Sequence, residues 1–309
     1  MKLVKPEFQI IEPTGYTIDD IYKSIELAGR VSHRSEDKIT ETSAKTFVDR
    51  MINMNHLATC EFGTVYLKIP TGKYQFLDND YFDECDDIKD SFYSNPYTKI
   101  HCQEGYHYVS TNYRVLLENF SKEFISELLQ YLCEPTEYHH KRYTVKYICD
   151  RGILAEFTRH RRFSFMAESS RYNNYSKSKF NSELTFIQPI WTYHQEDGDY
   201  GTLGNPKRKN VGNSDGVFFD YKKALQYAEY YYLILVKQGW KAEEARNVLP
   251  LCLKTELYMC GFAEDWKNFF KLRSKKYGVG NPHPQADELA TSLYEEFIKR
   301  GYINDAQIN

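Results

Sequence analysis

The chain contains 309 residues, of which 41% are hydrophobic and 27% charged, a composition typical of a globular protein rather than a disordered one. The formal net charge of −3 excludes a protein that coats nucleic acid through bulk positive charge, so any basic site must be local. Aromatic residues reach 16%, including 27 tyrosines, which favours surfaces that stack on rings.

Neither an export signal nor a metal centre is expected from the sequence. No apolar run reaches the roughly 18–20 residues that span a bilayer, and the first residues lack an apolar signal core, which predicts a cytoplasmic protein. The seven cysteines are odd in number and include no Cys-x-x-Cys pair. We therefore expect mostly buried thiols, no disulfide framework and no metal site.

The first half of the chain mixes helices with one clear strand. Apolar spacing predicts amphipathic helices over 18–28 and 43–55, and an alternating, β-branched stretch predicts a strand over 63–70. Residues 73–107 are rich in tyrosine and aspartate, and we interpret them as an inserted surface segment. Their aspartates lack the spacing of a calcium loop, so they indicate a solvated acidic face. A further helix is predicted over 115–133.

The second half is richer in helical patterns. Residues 145–157 are apolar enough for a buried strand or a short helix, and 184–189 has the pattern of a strand. The polar stretch 194–216 predicts a loop. Helices are predicted from a cap at Asp220 to Gly239, over 242–260 with a kink at Pro250, over 263–276 and over 285–300. These elements predict an α+β fold with a helix-rich C-terminal half.

The pattern with the most chemistry lies in residues 159–179, where six lysines or arginines accompany one acidic residue, for a local charge of +5. Arginine forks match phosphate oxygens in two-point contacts, and serine hydroxyls complete such a cradle. His160 lies between two arginines, whose charge disfavours its protonation. The pattern Arg-His-Arg-x2-Ser-x4-Ser-x-Arg-Tyr begins at Arg159, and its seven fixed positions are too many for a chance match.

Two other interpretations of this segment stay open. The run 159–162 could be a solvated basic surface. The cations also interleave with aromatic residues, as they do in proteins that bind single-stranded nucleic acid, at Phe163, Phe165, Tyr172 and Tyr175. Such a protein would bind oligonucleotides with a strong dependence on salt.

The pattern resembles the signature of the flavin-dependent thymidylate synthases. Further segments resemble elements of that family in the same order, at Ala28-Gly-Arg-Val-Ser32, His56-x4-Glu61, Ala245-Arg-Asn-Val-Leu-Pro250 with Thr255, Leu272-Arg273 and His283-Pro-Gln285. The resemblance covers 18–69 and 145–300, whereas compact members lack a segment like 70–144. It implies a single α+β domain over 1–309, with a central, mostly antiparallel sheet flanked by helices and an insertion near 70–144.

The resemblance also implies a reaction, the reductive methylation of dUMP to dTMP. In this family methylene-tetrahydrofolate supplies the carbon, and FAD that NADPH has reduced supplies the hydride. The expected partners are these small molecules and other copies of the chain in a homotetramer, with neither nucleic acid nor a membrane. Because the sequence has no GxGxxG motif, FAD would not be held by a Rossmann turn.

Residue roles follow from the same resemblance. Arg273 would face the uracil edge and stabilise negative charge, and His56 would lie near the reacting centre as a second catalytic residue. The implied flavin contacts are Ser32, Ala58, Glu61, Arg159, His160, Arg161 and Asn268. The implied dUMP contacts are Glu156, Arg159, Glu168, Ser169, Ser170, Arg171, Tyr172, Arg246 and Arg273. Among these, Arg171 and Arg246 would hold the phosphate.

Several positions depart from the family pattern. Met166 and Ala167 replace an Asn-Glu pair, although Glu168 follows one place later. Glu264 stands where an arginine is usual, and Glu156 stands where a glutamine is usual. These departures predict altered contacts on the flavin side. They also leave open a diverged homologue that binds a nucleotide without turnover.

Overall fold

The computed structural model describes residues 1–74, 77, 95–193, 198–201, 203 and 216–304. The helices are α1 (Ile18–Arg30), α2 (Ser43–Asn53), α3 (Tyr113–Asn119), α4 (Lys122–Leu128), α5 (Arg151–Phe157), α6 (Gly216–Lys237), α7 (Ala242–Ala245), α8 (Ala263–Arg273) and α9 (Pro284–Lys299). The strands are β1 (Lys2–Val4), β2 (Glu7–Ile11), β3 (Thr64–Pro70), β4 (Lys99–Gln103), β5 (Tyr106–Asn112), β6 (Arg142–Asp150), β7 (Ser164–Ala167), β8 (Thr185–Ile187), β9 (Gly198–Asp199) and β10 (Lys254–Phe262).

The central sheet is antiparallel and has four strands in the order β2-β6-β10-β7. Strands β6 and β10 pair along their whole length, from Lys254 opposite Asp150 to Phe262 opposite Arg142. The sheet shares one core with α5, α8 and α9, in which Trp266 is fully buried. The α+β fold with a central antiparallel sheet and flanking helices is therefore confirmed.

Two smaller sheets complete the architecture. The antiparallel sheet β3-β5-β4 forms a core with α1 to α4, and this core contains Ile25, Phe47 and Val109. The sheet β8-β1-β9, in which β1 runs parallel to β8, shares a core with α6. The predictions of α1, α2 and β3 are confirmed to within three residues at each end. Their periodic apolar residues face one core, which is why they were visible in the sequence.

The predicted helix over 242–260 is wrong. Only Ala242–Ala245 is α-helical, a 3₁₀ turn follows at Arg246–Val248, and most of the remainder is strand β10. Both faces of β10 are buried, since Leu257 packs in the core with α8 and Tyr258 packs in a second core with α1. A strand that is covered on both faces shows no polar alternation, so its pattern does not distinguish it from a helix.

Three other boundaries differ from the predictions. Helix α6 begins at Gly216, so Asp220 lies inside it and does not cap it. The predicted helix over 115–133 is two helices, because Ser121 accepts a hydrogen bond from the N–H of Phe124 at 3.2 Å and starts a new helix. Residues 145–157 contain both alternatives that the sequence left open, strand β6 and then helix α5.

Most of the acidic stretch within 73–107, and most of the predicted loop 194–216, lie outside the described residues. Residues 95–107, the described end of the first stretch, also contribute to a sheet. Strands β4 and β5 form a hairpin, and β5 pairs with β3 from Tyr106 to Asn112. Residues 101–106 of this hairpin are exposed, as the surface interpretation predicts, whereas His107 at the end of the stretch is buried.

Within the described residues, no helix combines the length and the apolar character needed to cross a bilayer. The described cysteines form no disulfide with one another. The described part of the chain also brings together no group of three or more metal-ligating side chains.

The core between the central sheet and helices α8 and α9 predicts a large effect of truncating Trp266. Its ring is fully buried against Phe163 and Phe270, and its indole N–H donates to the Tyr143 carbonyl at 3.2 Å. We expect Trp266→Ala to lower the free energy of unfolding by about 3–5 kcal/mol, measured by urea denaturation. The matched control is Trp240→Ala, because Trp240 is 47% exposed. Its change should stay within about 0.5 kcal/mol, and equal losses in the two variants would contradict the assigned core.

Candidate active site

The site is built around the turn that follows α5. Asp150 caps this helix by accepting the N–H of Ile153 at 2.7 Å, and the helix ends at Phe157. The turn is closed by the N–H of His160, which donates to the Phe157 carbonyl at 3.1 Å. This short helix therefore sets the positions of Glu156 and His160 relative to the sheet.

Arg273, the last residue of α8, makes three hydrogen bonds to this turn. Its Nη1 donates to the Glu156 carboxylate at 2.6 Å, its Nη2 to the Glu156 carbonyl at 2.9 Å, and its Nε to Nε2 of His160 at 3.0 Å. The side chain of Arg273 is 16% exposed. These contacts fix the plane of the guanidinium and join two of the sequence elements that resemble the family.

His160 is held in its neutral form. Burial, and next the charge of Arg273, lower its pKa to about 4. Since arginine stays protonated, the Nε2 atom that accepts from it must carry no proton. The sequence predicted the neutral imidazole correctly, but attributed it to the neighbouring arginines rather than to burial and Arg273.

One cavity of about 250 Å³ collects five residues that the sequence nominated. They are Arg159, His160, Arg161, Asn268 and Arg273. Arg159, Arg161 and Asn268 are exposed, whereas His160 is buried behind them. The cavity therefore combines a cationic rim with a neutral imidazole and can receive a polyanionic ligand.

A second cavity of about 910 Å³ collects a different group of nominated residues, Ser32, His56, Ala58 and Tyr172. The Tyr172 ring stacks on His33 with centroids 4.5 Å apart. The Ser32 hydroxyl donates to the Met166 sulfur at 3.1 Å, so a residue that departs from the family pattern lines the same wall. Glu61 does not line this cavity, but its carboxylate pairs at 2.6 Å with Arg114, which does.

The serine and arginine positions of the motif form a third group. Nη1 of Arg246 donates to the Ser170 hydroxyl at 3.4 Å, and the N–H of Arg171 donates to the Ser169 hydroxyl at 3.3 Å. The Arg171 guanidinium is 58% exposed and pairs with Glu243 at 2.7 Å. The Arg246 guanidinium beside the Ser170 hydroxyl can bind a phosphate, whereas the Arg171 guanidinium contacts Glu243 and only its backbone N–H reaches a serine hydroxyl.

Glu168 does not join that group through its carboxylate. The side chain is 1% exposed and pairs with Arg34 at 3.2 Å and with Lys254 at 3.3 Å. The Tyr175 hydroxyl also donates to it, at 3.1 Å. Because its carboxylate has three partners, Glu168 has a structural role. The backbone N–H of Glu168 also donates to the carbonyl of Glu256, at 2.8 Å. The Glu168 carboxylate, which was predicted to contact dUMP, is therefore already bound by side chains of the protein.

A family model described as thymidylate synthase complementing protein matches residues 98–300. The chain belongs to this family. It is 28% identical over 162 residues to a probable flavin-dependent thymidylate synthase of Paramecium bursaria Chlorella virus 1, a match that covers 50% of this chain and 66% of the relative. It is also 28% identical over 169 residues to the flavin-dependent thymidylate synthase of Tropheryma whipplei (strain TW08/27), covering 52% and 65%.

These matches span just under two thirds of the length of the curated relatives. Among solved structures, a UMP/dUMP methylase PolB from Streptomyces cacaoi, bound with 5-Br dUMP, aligns with a TM-score of 0.44 and 16% identity. That alignment covers 97% of this chain and 93% of the other. The family match begins at residue 98 and so includes the hairpin of β4 and β5, whereas residues 18–69 lie outside the matched range.

The structure accounts for Glu264, the carboxylate that stands where the family usually has an arginine. It pairs with Lys99 of β4 at 2.9 Å and with Nδ1 of His140 at 3.1 Å. The hydrogen bond with His140, assisted by Lys99, lowers the pKa of Glu264 to about 2. The carboxylate is therefore ionised at neutral pH and held by its own partners.

The sequence did not identify Arg34 and Lys254 as cations that hold the motif in place. Arg34 and Lys254 bind both Glu168 and Glu256, and Lys179 donates to the His33 carbonyl at 2.8 Å. The only available signal was the Lys-x-Glu spacing at 254–256, which puts both side chains on one face of a strand. That signal was hidden because the segment was predicted to be a helix.

The neutral His160 predicts a specific dependence of stability on pH. An unfolded histidine has a pKa of about 6.5, whereas burial beside Arg273 lowers the folded value to about 4. As the pH falls from 6.5 to 4, the unfolded chain binds a proton that the folded chain does not, so stability decreases across this window. Above about pH 6.5 the histidine is neutral in both states, so this loss of stability is absent.

We expect His160→Gln, which keeps an acceptor for Arg273, to flatten the decrease in unfolding free energy between pH 6.5 and pH 4. Urea denaturation at several pH values measures this slope. The control is His56→Gln, because His56 is exposed, and it should keep the wild-type slope. An unchanged slope in His160→Gln would mean that the imidazole is not buried in its neutral form.

Proposed function

We propose that this chain catalyses the reductive methylation of dUMP to dTMP, with methylene-tetrahydrofolate as carbon donor and FAD, reduced by NADPH, as hydride source. Family membership supports the class of reaction. The observation that carries the proposal is the guanidinium of Arg273, which Glu156 and His160 hold at the cavity lined by the motif arginines.

Arg273 would bind the edge of the uracil ring. Three of its five N–H groups are used by Glu156 and His160 within the described residues, and the other two remain for a substrate. Its charge is permanent, so it would stabilise the negative charge that develops on the pyrimidine oxygens without transferring a proton. Because the guanidinium is oriented before the substrate arrives, little reorganisation opposes this stabilisation.

The phosphate of dUMP would bind between Arg171 and Arg246, with the Ser169 and Ser170 hydroxyls as short-range donors. Arg171 is now paired with Glu243 at an exposed position. A phosphate carries nearly two charges and offers several acceptor oxygens, so it would replace this single carboxylate readily. Arginine forks favour such two-point contacts over the one-point contacts of lysine.

The residues that line the cavities of about 910 Å³ and 250 Å³ have the chemistry that FAD requires. The cavity of about 910 Å³ carries a stacked ring pair, which suits a flat ring system, and the smaller cavity carries a cationic rim, which suits a pyrophosphate. When bound, FAD would supply the hydride. The residues proposed to hold it are Ser32, Ala58, Arg159, His160, Arg161 and Asn268, with His56 beside the reacting centre. Glu61 would act through Arg114, since their side chains are paired.

The same proposal makes the protein a cytoplasmic homotetramer that uses neither nucleic acid nor a membrane. The exposed aromatic face of α6 supports contact with further copies. Tyr227, Tyr230 and Tyr231 are 42–51% exposed there. Exposed patches of large apolar side chains often mark protein contacts.

The reaction is tested by tritium release from dUMP labelled at C5, with FAD, NADPH and methylene-tetrahydrofolate added. Release that depends on both flavin and folate is expected for the wild type. Arg273→Ala should lower the rate by at least about 100-fold, the usual cost of removing one stabilising donor, while FAD absorbance is retained. The control is Lys271→Ala, an exposed cation on the same turn of α8, which should keep the wild-type rate.

Wild-type protein that binds dUMP yet releases no tritium would contradict the proposal and indicate a nucleotide-binding relative without turnover. Salt-dependent binding of oligonucleotides by a colourless protein would instead favour a nucleic-acid function. Equal rates in Arg273→Ala and Lys271→Ala would remove Arg273 from the catalytic role.

The phosphate assignment makes a separate prediction for Arg171. We expect Arg171→Ala to weaken dUMP binding by roughly 10-fold or more, because a charge-assisted contact is worth about 1.5–3 kcal/mol. Binding of deoxyuridine, which lacks the phosphate, should not change, and calorimetry measures both. The control is Lys177→Ala, another exposed cation of the motif segment. Equal weakening of dUMP and deoxyuridine would show that Arg171 does not read the phosphate.

A further inference from the structure

A third cavity, of about 260 Å³, lies apart from the candidate active site, at the edge of the central sheet. Strand β2 pairs with β6 only as far as Ile11 opposite Thr144, so β6 continues beyond it to Arg142. The cavity occupies the space beside this extension. Helix α1 and the turn that follows α9 close its other sides.

Six aromatic side chains line this cavity. They belong to Tyr16, Phe62, Tyr66, Tyr143, Tyr258 and Tyr302. Tyr143 stacks on Tyr302 with centroids 4.1 Å apart, and Tyr16 meets Tyr66 edge-on at 5.8 Å. Phe62, Tyr66 and Tyr258 are buried, which fixes the inner wall. Ring faces and edges set at several angles favour a flat aromatic guest, because such rings attract one another in offset and edge-on contacts.

The polar groups around the cavity favour a negative charge on that guest. Lys141, Arg142, Arg300 and Glu12 line it. Arg300 is paired with Glu12 and with Glu296, so Lys141 and Arg142 supply the positive charge that no carboxylate of the described residues pairs with. Glu12 is already paired with Arg300 at 2.6 Å and accepts a hydrogen bond from Tyr302. The buried guanidinium of Arg142 donates to the carbonyls of Thr111 and Glu61, so it contributes positive charge near the cavity rather than a hydrogen bond to a ligand. Lys141 is exposed at the rim, where it can meet an anionic substituent.

The cavity is separate from the candidate active site but shares a wall with it. Leu27 and Ala28, in the last turn of α1, line the aromatic cavity. Gly29, Arg30 and Ser32, which follow directly, line the cavity of about 910 Å³. A ligand in one cavity would therefore contact the same helical turn that borders the other.

We propose that this aromatic cavity is a second ligand site, which binds a planar aromatic anion about the size of two fused rings. The rings of the ligand would lie among Tyr16, Tyr66 and Tyr143. Its anionic group would face Lys141 at the rim. The proposal does not depend on the methylation reaction, since none of the motif residues lines this cavity.

The test is isothermal titration calorimetry of the full chain with 2-naphthoate, a planar bicyclic carboxylate. For a ligand of this size we expect a Kd on the order of 1 mM or tighter. Cyclohexanecarboxylate, which carries the charge without the aromatic ring, should bind at least about 10-fold more weakly. Saturating dUMP should not displace 2-naphthoate, since displacement would mean that the probe had entered the candidate active site instead.

A filling variant locates the site. Ser24 lines the cavity on α1, and its hydroxyl donates to the Asp20 carbonyl one turn earlier, at 3.1 Å. Ser24→Trp should fill the cavity and weaken 2-naphthoate binding by at least about 10-fold. The matched control is Ser126→Trp on α4, because the Ser126 hydroxyl makes the same bond to Lys122 at 2.9 Å outside this cavity. Equal affinity in both variants would overturn the proposal.

A second variant keeps the test decisive if Ser24→Trp fails to fold. Lys141→Met retains the length of the side chain and removes its charge. It should weaken binding of 2-naphthoate several-fold and leave the neutral probe 2-naphthamide unchanged. No heat with either probe on the wild type, or equal weakening of both probes by Lys141→Met, would contradict an anion-selective aromatic site.

Discussion

The hydrogen bonds of Arg273 are the constraint on which the candidate site depends. They connect the last residue of α8 to the end of α5, through the carboxylate and carbonyl of Glu156 and the ring of His160. Phe269 packs edge-on against His160 and against Phe157, the neighbour of Glu156, with centroids 5.0 Å apart in each pair. The orientation of the guanidinium therefore depends on the packing of two helices against the central sheet, rather than on a loop.

A second set of charges fixes the loop after α1. Glu168 and Glu256 are 1% and 5% exposed, and burying two carboxylates would be costly without partners. Arg34 and Lys254 contact both of them, and Lys146 contacts Glu256 at 2.7 Å. Despite burial, the nearby lysines lower the pKa of Glu256 to about 2. The cluster thus joins the loop after α1 to β10. That loop forms part of the wall of the cavity of about 910 Å³, so the position of this wall depends on ion pairs with residues that are distant in the sequence.

Local patterns predicted the elements that face one core. Helix α1 was visible because Ile21 and Ile25 recur at helical spacing, and the motif segment named residues that do share cavities. Strand β10 was missed because Leu257 and Tyr258 enter different cores, so both faces are apolar. The role of Arg34 could not be found, because the two buried carboxylates that it joins, Glu168 and Glu256, lie more than 130 residues away in the sequence. Pairing of this kind is a property of the tertiary fold and leaves no periodic signal in the chain.

Glu156 and Glu264 both place a glutamate where the family usually has another residue, but the two replacements have different consequences. Glu156 pairs within the site and orients the α8 arginine, so its charge is part of the candidate machinery. Glu264 pairs with Lys99, which β4 brings from the segment 70–144. The same segment contacts the motif directly, since the Tyr97 hydroxyl donates to the Arg161 carbonyl at 3.2 Å. Where the family arginine is replaced by Glu264, Lys99 from another element therefore supplies a positive charge. The effect of each glutamate depends on which cation pairs with its carboxylate.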